Sequence, residues 1–171
     1  MKLIPIPYSF IRERALLSWQ DALWGYERQL IGWSDIVAIA EDRLLLGSED
    51  SMEIELACLE KSEAQQVGEL LRALASNEPD DVGSTSDTKW LFLILAWLFD
   101  NRDAVSDPLG EVERIYADFD YPTEIESFVS YMPVTDGYDP SQHSIEENKV
   151  RLFSKWEQYL SEARQDIGIS K

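Results

Sequence analysis

Between Tyr116 and Pro140 the chain reads YADFDYPTEIESFVSYMPVTDGYDP. It carries Asp118, Asp120, Glu124, Glu126, Asp136 and Asp139, with Glu113 just upstream, and no lysine, arginine or histidine. Tyr116, Tyr121, Tyr131 and Tyr138 sit among the acids. Three kinds of chemistry use such a constellation: coordination of a hard cation, proton transfer between two carboxyl groups, and attraction of a positively charged partner. A hard cation wants about six to eight oxygens from a shaped loop. This stretch has neither a glycine at the sharp-turn position nor the ligand spacing of an EF-hand, so no metal is expected. Acid–base work needs neighbouring groups whose environments drive their pKa values apart. Glu124 and Glu126 fall instead in a predicted first helical turn, where the helix dipole alone accounts for acids.

Nucleophilic chemistry finds little footing elsewhere. The chain has no GxSxG, no phosphate-binding glycine loop, no GxGxxG and no CxxC. Its one cysteine, Cys58 in ELACLEK, lies within a helical pattern and reads as a small core residue. Its one histidine, His143 in DPSQHSIEEN, precedes a capping serine and reads as a loop residue with no identifiable catalytic partner. No catalytic residue and no cofactor are therefore expected. Of the six tryptophans, Trp90 and Trp97 are seven apart in an apolar run and read as core. Trp24 and Trp33, beside glycines, are candidates for interface anchors.

The charge balance favours the third chemistry. The formal net charge is −18, from 33 acids and 15 bases. Nucleic acid is excluded as a partner because binding it requires a basic stripe that releases counterions, and an anionic membrane surface is excluded on the same ground. The negative charge is uneven. Asp100 to Glu147 holds 13 acids against Arg102 and Arg114, and Glu41 to Asp81 holds 12 acids against three bases, while the first 40 residues are balanced. Acids that supply field, interleaved with tyrosines that supply contact area, suit a basic protein partner. A solvated acidic face that serves only solubility is the plainer alternative.

The elements that would position these residues are helical. Ser18 with Asp21 resembles an N-cap, and Ser34 opens SDIVAIAEDRLLLG, stopped by Gly47. Residues 51–60 read as a short helix. Ser62 with Gln65 resembles a capping box ahead of Val67, Leu70, Leu71 and Leu74. Residues 77–88, NEPDDVGSTSDT, form a polar surface loop. The helix at about 87–101 is apolar all round, which places it inside a bundle, and its ten-residue run WLFLILAWLF is too short to span a bilayer. Asp107-Pro108 starts a further helix. Pro122 opens another with Ile125, Phe128, Val129 and Met132 on one face, ended by Pro133 and Asp136-Gly137. Ser144 with Glu147 starts the last, with Leu152, Phe153, Trp156, Leu160 and Ala163 inward. No alternating strand of five residues is found. The expected fold is all-α: one domain spanning residues 1–171, about seven or eight helices around the apolar helix, with residues 1–16 as an N-terminal arm that includes a short extended segment. A chain of this length buries roughly 70% of its unfolded surface. The N-terminal MKLIPIPYSF, broken by Pro5 and Pro7, is not a signal peptide, and the expected location is the cytoplasm.

The segments LSWQDALWGYERQLIGW, KWLFLILAWLFDNR, DPLGEVERIYADFDYPTEIESFVSYMP and HSIEENKVRLFSKWEQYL resemble a bacterial family of uncharacterised domains. Its members have been assigned, mainly from gene neighbourhood, as immunity proteins of polymorphic toxin systems. The resemblance runs from about Leu17 to Leu160 and is most distinctive from Tyr116 to Pro133. It implies a cytosolic binder and carries over no catalytic residue. Combined with the charge reading, it points to a protein that neutralises a basic, nuclease-type toxin domain by steric and electrostatic occlusion. Asp118, Asp120, Glu124, Glu126, Asp136 and Asp139 would make the contact, with Tyr121 and Tyr138 as anchors. A small metal-dependent hydrolase using the same carboxylates, or an acidic helical adaptor or regulatory subunit, are the alternative readings.

Overall fold

The structure, a computed structural model, describes residues 4–80 and 83–167. Residues 1–3 of the expected arm and 81–82 of the expected loop lie outside the described residues. The fold is all-α. Among the described residues there are eight α-helices, joined in places by short 3-10 helices, and no strand. The chain groups into two compact units that divide inside one helix, between Trp90 and Leu91.

In the first unit, α1 (Tyr8–Arg12), α2 (Trp19–Glu27), α3 (Trp33–Leu45), α4 (Ser51–Ala57) and α5 (Val67–Asn77) precede the start of α6 (Ser86–Asp100). α3 packs on α4, and α2 on α5. Ile11, Ala22, Leu30, Ile36, Ala40, Leu56, Val67, Leu71 and Trp90 are fully enclosed in this unit's core. The expected N-terminal arm contains helix as well as extended chain. Pro7 pre-sets an extended residue ahead of α1, Ile6 N–H donates to Leu30 C=O (3.0 Å), and Ile6, Phe10, Ile11 and Ala15 are buried.

The N-terminus of α2 satisfies every orphan amide of its first turn, the usual weakness of a helix end. Ser18 Oγ accepts from Asp21 N–H (3.0 Å) and Asp21 returns the bond to Ser18 N–H (2.9 Å). Glu78, just past α5, accepts from the Trp19 and Gln20 amides (2.9 and 3.2 Å). Asp21 is only 2% exposed. Its carboxylate also accepts from Ser86 Oγ (2.6 Å) and Lys89 Nζ (2.7 Å), and its carbonyl from Trp90 Nε1 (2.8 Å). The start of α6 is thus fastened to the start of α2. Trp90 lies so close to α2 that a Cβ on Gly25 would sit 2.2 Å from its ring. Trp24, a candidate interface anchor by sequence, stacks on Trp90 (6.4 Å, 15°) with Arg28 over its face. Trp33 is half-buried.

Several helix ends follow one rule. α2, α3 and the later α7 (Pro108–Asp118) all close with a residue in the left-handed region whose amide, and the next one, turn back onto the helix: Gln29 (φ 61°), Gly47 (φ 99°) and Asp120 (φ 60°). α3 begins at Trp33 rather than after Ser34, because Asp35 caps the Gly32 amide (2.8 Å). The expected box at Ser62 and Gln65 is displaced: Glu63 accepts from the Glu60 amide (3.0 Å) and a 3-10 turn at Lys61–Gln66 leads into α5.

The second unit holds the rest of α6, then α7, a 3-10 turn at Thr123–Phe128 and α8 (Ile145–Ile167). Leu91–Ala96 and Leu98 are all buried, as the apolar run predicts. α8 and α7 both pack on the 3-10 turn. Phe128 stacks on Trp156 (5.9 Å, 4°), and Phe99 meets Trp156 edge-on (5.1 Å). The helix expected after Pro122 is present there as a six-residue 3-10 helix, Thr123–Phe128, that stops short of Met132. Val129 is already extended (φ −84°, ψ 117°), and Pro133 disfavours helix in the residue before it. Ile125, Phe128 and Val129 are still buried, so the apolar spacing marks inward side chains without an α-helix to carry them.

Removing one partner from a buried ion pair costs about 3–5 kcal/mol because the other charge is stranded. Asp21→Ala is therefore expected to lower urea-unfolding stability by about that amount. Gly25→Ala, which drives a methyl group into Trp90, is expected to lower it by about 1–3 kcal/mol. Wild-type midpoints for both variants would contradict this anchoring.

Candidate functional site

The acidic stretch begins where α7 ends. Asp107 caps that helix through the Gly110 amide (3.0 Å), with Pro108 at its first position. Leu109, Val112, Ile115 and Tyr116 form its buried stripe. At the other end Tyr121 N–H donates to Tyr116 C=O (2.8 Å) and Asp120 N–H to Ala117 C=O (3.2 Å). Asp120 and Tyr121 are both left-handed, at φ 60° and 59°. Aspartate tolerates that region, but tyrosine rarely adopts it. The double reversal swings Tyr121 outward, 56% exposed, with its ring edge-on to buried Tyr116 (5.2 Å). Tyr131, 58% exposed, lies 6.2 Å from the same ring. One buried tyrosine thus supports two exposed ones.

The predicted contact residues fall into two groups. Around the tyrosine trio, Asp118 is half-buried and Asp120 and Glu124 are exposed; none of the three has an ion-pair partner among the described residues. The Glu126 carboxylate accepts from Tyr116 Oη (3.0 Å), and that of Glu113 from the Ser130 hydroxyl. Through desolvation first, and Glu126 second, the Tyr116 phenol is held above its ordinary pKa.

Asp136, Tyr138 and Asp139 serve a different end. Asp136 takes Arg151 Nη2 in two bonds (2.8 and 2.9 Å) and Lys155 Nζ (3.2 Å). The Arg151 bonds, with smaller help from the Tyr138 amide and Lys155, pull its carboxyl down to about 2. Tyr138 Oη donates to Asn148 Oδ1 (2.7 Å), and its ring lies between the Arg151 guanidinium (4.3 Å) and the His143 imidazole (4.5 Å). Asp139 caps a turn through Ser141 N–H (3.0 Å) and Oγ (2.6 Å), bonds that hold its pKa low. Asp136 and Tyr138 thus strap the segment after Thr135 to α8, while Asp139 shapes the turn between. Sequence reasoning missed Arg151 and Lys155. Their i, i+4 spacing on the last helix is the signal that would have found them.

Between these groups runs a groove of about 440 Å³. Its lining combines apolar Leu109, Val129, Met132 and Leu152 with the acids Asp107, Glu113, Glu126 and Asp136 and the bases Lys149, Arg151 and Lys155. No group of three or more His, Cys, Asp or Glu side chains is arranged to hold a metal ion among the described residues. No helix among them is long and apolar enough to cross a membrane.

Over residues 8–164 the chain matches the DUF2247 family, described as an uncharacterized protein conserved in bacteria, and it belongs to that family. No curated protein and no solved structure matches it.

The Asp136 clamp has a pH signature. A carboxyl whose folded pKa is depressed stabilises the fold above the ordinary carboxylate range, and that contribution is lost as pH falls through the folded value, here about 2. Asp136→Asn is expected to unfold at a lower temperature than wild type at pH 5, and the two are expected to converge as the pH approaches 2. A difference that persists unchanged to that pH would contradict the clamp.

Proposed function

We propose that this member of the DUF2247 family is a binding protein that seats a basic protein partner on the acid–tyrosine surface following α7. More narrowly, we propose that it is a cytoplasmic immunity protein that occludes a basic, nuclease-type toxin domain. The observation that carries the reading is the occurrence, in one stretch of chain, of Tyr121 and Tyr131, each more than half exposed, and of Asp118, Asp120 and Glu124, which have no ion-pair partner among the described residues. A protein with no use for that surface gains nothing by holding a tyrosine outward in a left-handed conformation. Toxins that cut nucleic acid present cations to phosphate, and the same cations are attracted by uncommitted carboxylates. Exposed tyrosines add contact area at low entropic cost. Occlusion of this kind is steric and electrostatic and requires no bond making. The toxin assignment rests on the resemblance drawn from the four segments quoted above, and the preference for a basic partner rests on the charge.

The test is co-expression with the C-terminal domain of a large, modular, secreted protein encoded beside this chain. Cells are expected to survive that domain only when this chain is present. Asp118→Lys with Glu124→Lys is expected to slow association about tenfold at low salt and to flatten its salt dependence. A toxic neighbour domain that this chain neither binds nor neutralises would overturn the toxin reading. Unchanged association rates in the double variant would remove this surface from the contact.

A further inference from the structure

The fold holds most of its arginines in one way. Six of the nine arginines lie with the guanidinium over an aromatic ring, on Tyr8, Phe10, Trp19, Trp24, Phe99 and Tyr138. Two of these sites add a carboxylate to a tyrosine ring. Arg12 lies 4.9 Å from the centre of the Tyr8 ring and donates to both oxygens of Asp42 (2.7 and 2.8 Å). Arg151 lies 4.3 Å from the centre of the Tyr138 ring and donates to both oxygens of Asp136 (2.9 and 2.8 Å). A guanidinium suits this double use. Its flat face meets the ring, while its N–H groups point outward in the plane and stay free for a carboxylate. An ammonium has no flat face to offer.

The reversal after α7 carries the same parts without the cation. Tyr121 and Tyr131 are each more than half exposed, and no cation lies over either ring among the described residues. Asp118, Asp120 and Glu124 lie within three residues of Tyr121 in the chain, as Asp136 lies two from Tyr138. None of the three has an ion-pair partner among the described residues. No lysine or arginine occurs from Tyr116 to Pro140, and Arg114, just upstream on α7, is held by Glu111. The left-handed backbone at Asp120 and Tyr121 fixes the Tyr121 ring outward before any partner arrives, which lowers the ordering cost of binding.

We infer that Tyr121 is a docking point for an arginine of the protein partner, with the guanidinium laid on the phenol ring and turned toward a carboxylate of Asp118, Asp120 or Glu124. Tyr131 offers a second ring of the same kind. The Tyr8 and Tyr138 sites are the intramolecular counterparts of this contact. The assignment deepens the proposed binding role and rests on it for the sign of the partner's charge. It adds a requirement that net charge does not make: arginine in preference to lysine.

The probes are the capped peptides GRGRG and GKGKG, of equal charge, titrated at low salt into the isotopically labelled full chain and followed by backbone and tyrosine-ring chemical shifts. GRGRG is expected to shift the rings of Tyr121 and Tyr131 and to leave those of Tyr8 and Tyr138, already covered by Arg12 and Arg151, in place. GKGKG is expected to bind more weakly. Tyr121→Leu is expected to weaken GRGRG about two- to fivefold, the size of an exposed cation–π contact, whereas Tyr121→Phe, which keeps the ring face, is expected to bind close to wild type. Asp118→Asn, Asp120→Asn and Glu124→Gln together are expected to weaken it by a similar factor. Equal affinity for the two peptides, an unchanged affinity in Tyr121→Leu or in the triple variant, a loss in Tyr121→Phe as large as in Tyr121→Leu, or no shift at Tyr121 at millimolar GRGRG would each overturn the arginine assignment. The two readings fail separately. A chain that protects in co-expression but treats the peptides alike loses only the arginine contact. One that prefers arginine at Tyr121 but does not protect loses only the toxin.

Discussion

A charge buried beside α2 anchors the first unit. Asp21 is almost wholly removed from water, and an unpaired carboxylate in that position would not be tolerated. Three donors meet it: a backbone amide of its own cap, a serine hydroxyl and a lysine ammonium, the last two from α6. Desolvation makes a buried pair a poor source of net stability, but it makes the wrong arrangement expensive. The pair therefore selects one seating of the first turn of α6 on α2. Trp90 fills the space that Gly25 leaves open and spends its indole N–H on the carbonyl of Asp21 itself. A second buried acid, Glu53, takes the Trp19 indole (2.7 Å) and the Ser48 hydroxyl in the same unit. Tyr8 and Arg12 of α1 both close on Asp42 of α3. Burial and that acid neighbour push the Tyr8 phenol up to about 12.

This has a consequence for the chain's large negative charge. Of the eleven acids from Glu41 to Asp80, five are engaged in the fold: Asp42 holds α1, Asp50 caps α4, Glu53 is buried, Glu63 caps a turn and Glu78 caps α2. In the second unit Asp136 and Asp139 are engaged in the same way. Asp118, Asp120, Glu124, Glu113 and Glu126 have no ion-pair partner among the described residues; Glu126 bonds Tyr116, and Glu113 and Glu126 line the groove. Net charge alone does not separate these populations. Hydrogen bonds to caps and cations do in part: Asp118, Asp120 and Glu124 make none among the described residues, which leaves them the candidate contact acids.

Much of the helical frame was legible because helix ends are written locally. Ser18 with Asp21, Asp107 with Pro108, and Ser144 with Glu147 each place an acceptor within three residues of the amides it serves. Gly47 ends α3 for an equally local reason. The stretch after Pro122 was misjudged because Ile125, Phe128, Val129 and Met132 keep helical spacing while the backbone leaves the helix at Val129. Burial pattern and backbone state parted there. The roles of Asp136 and Tyr138 could not be read because Arg151 and Asn148 reach them from the next helix. Lys89 was hidden for the same reason at greater range: its partner is 68 residues earlier in the chain. The left-handed pair Asp120-Tyr121 had no signal at all, since neither residue is a glycine.

The central claim is the division between acids engaged in holding the fold and acids left for a partner. Carbodiimide labelling of carboxyl groups, read residue by residue by mass spectrometry with and without the basic partner proposed above, tests it most directly. Asp118, Asp120 and Glu124 are predicted to react readily in the isolated chain and to become protected in the complex, while Asp21 and Glu53 resist in both. Protection confined to residues 41–80, with the acids from Glu113 to Glu126 equally reactive in both states, would contradict it.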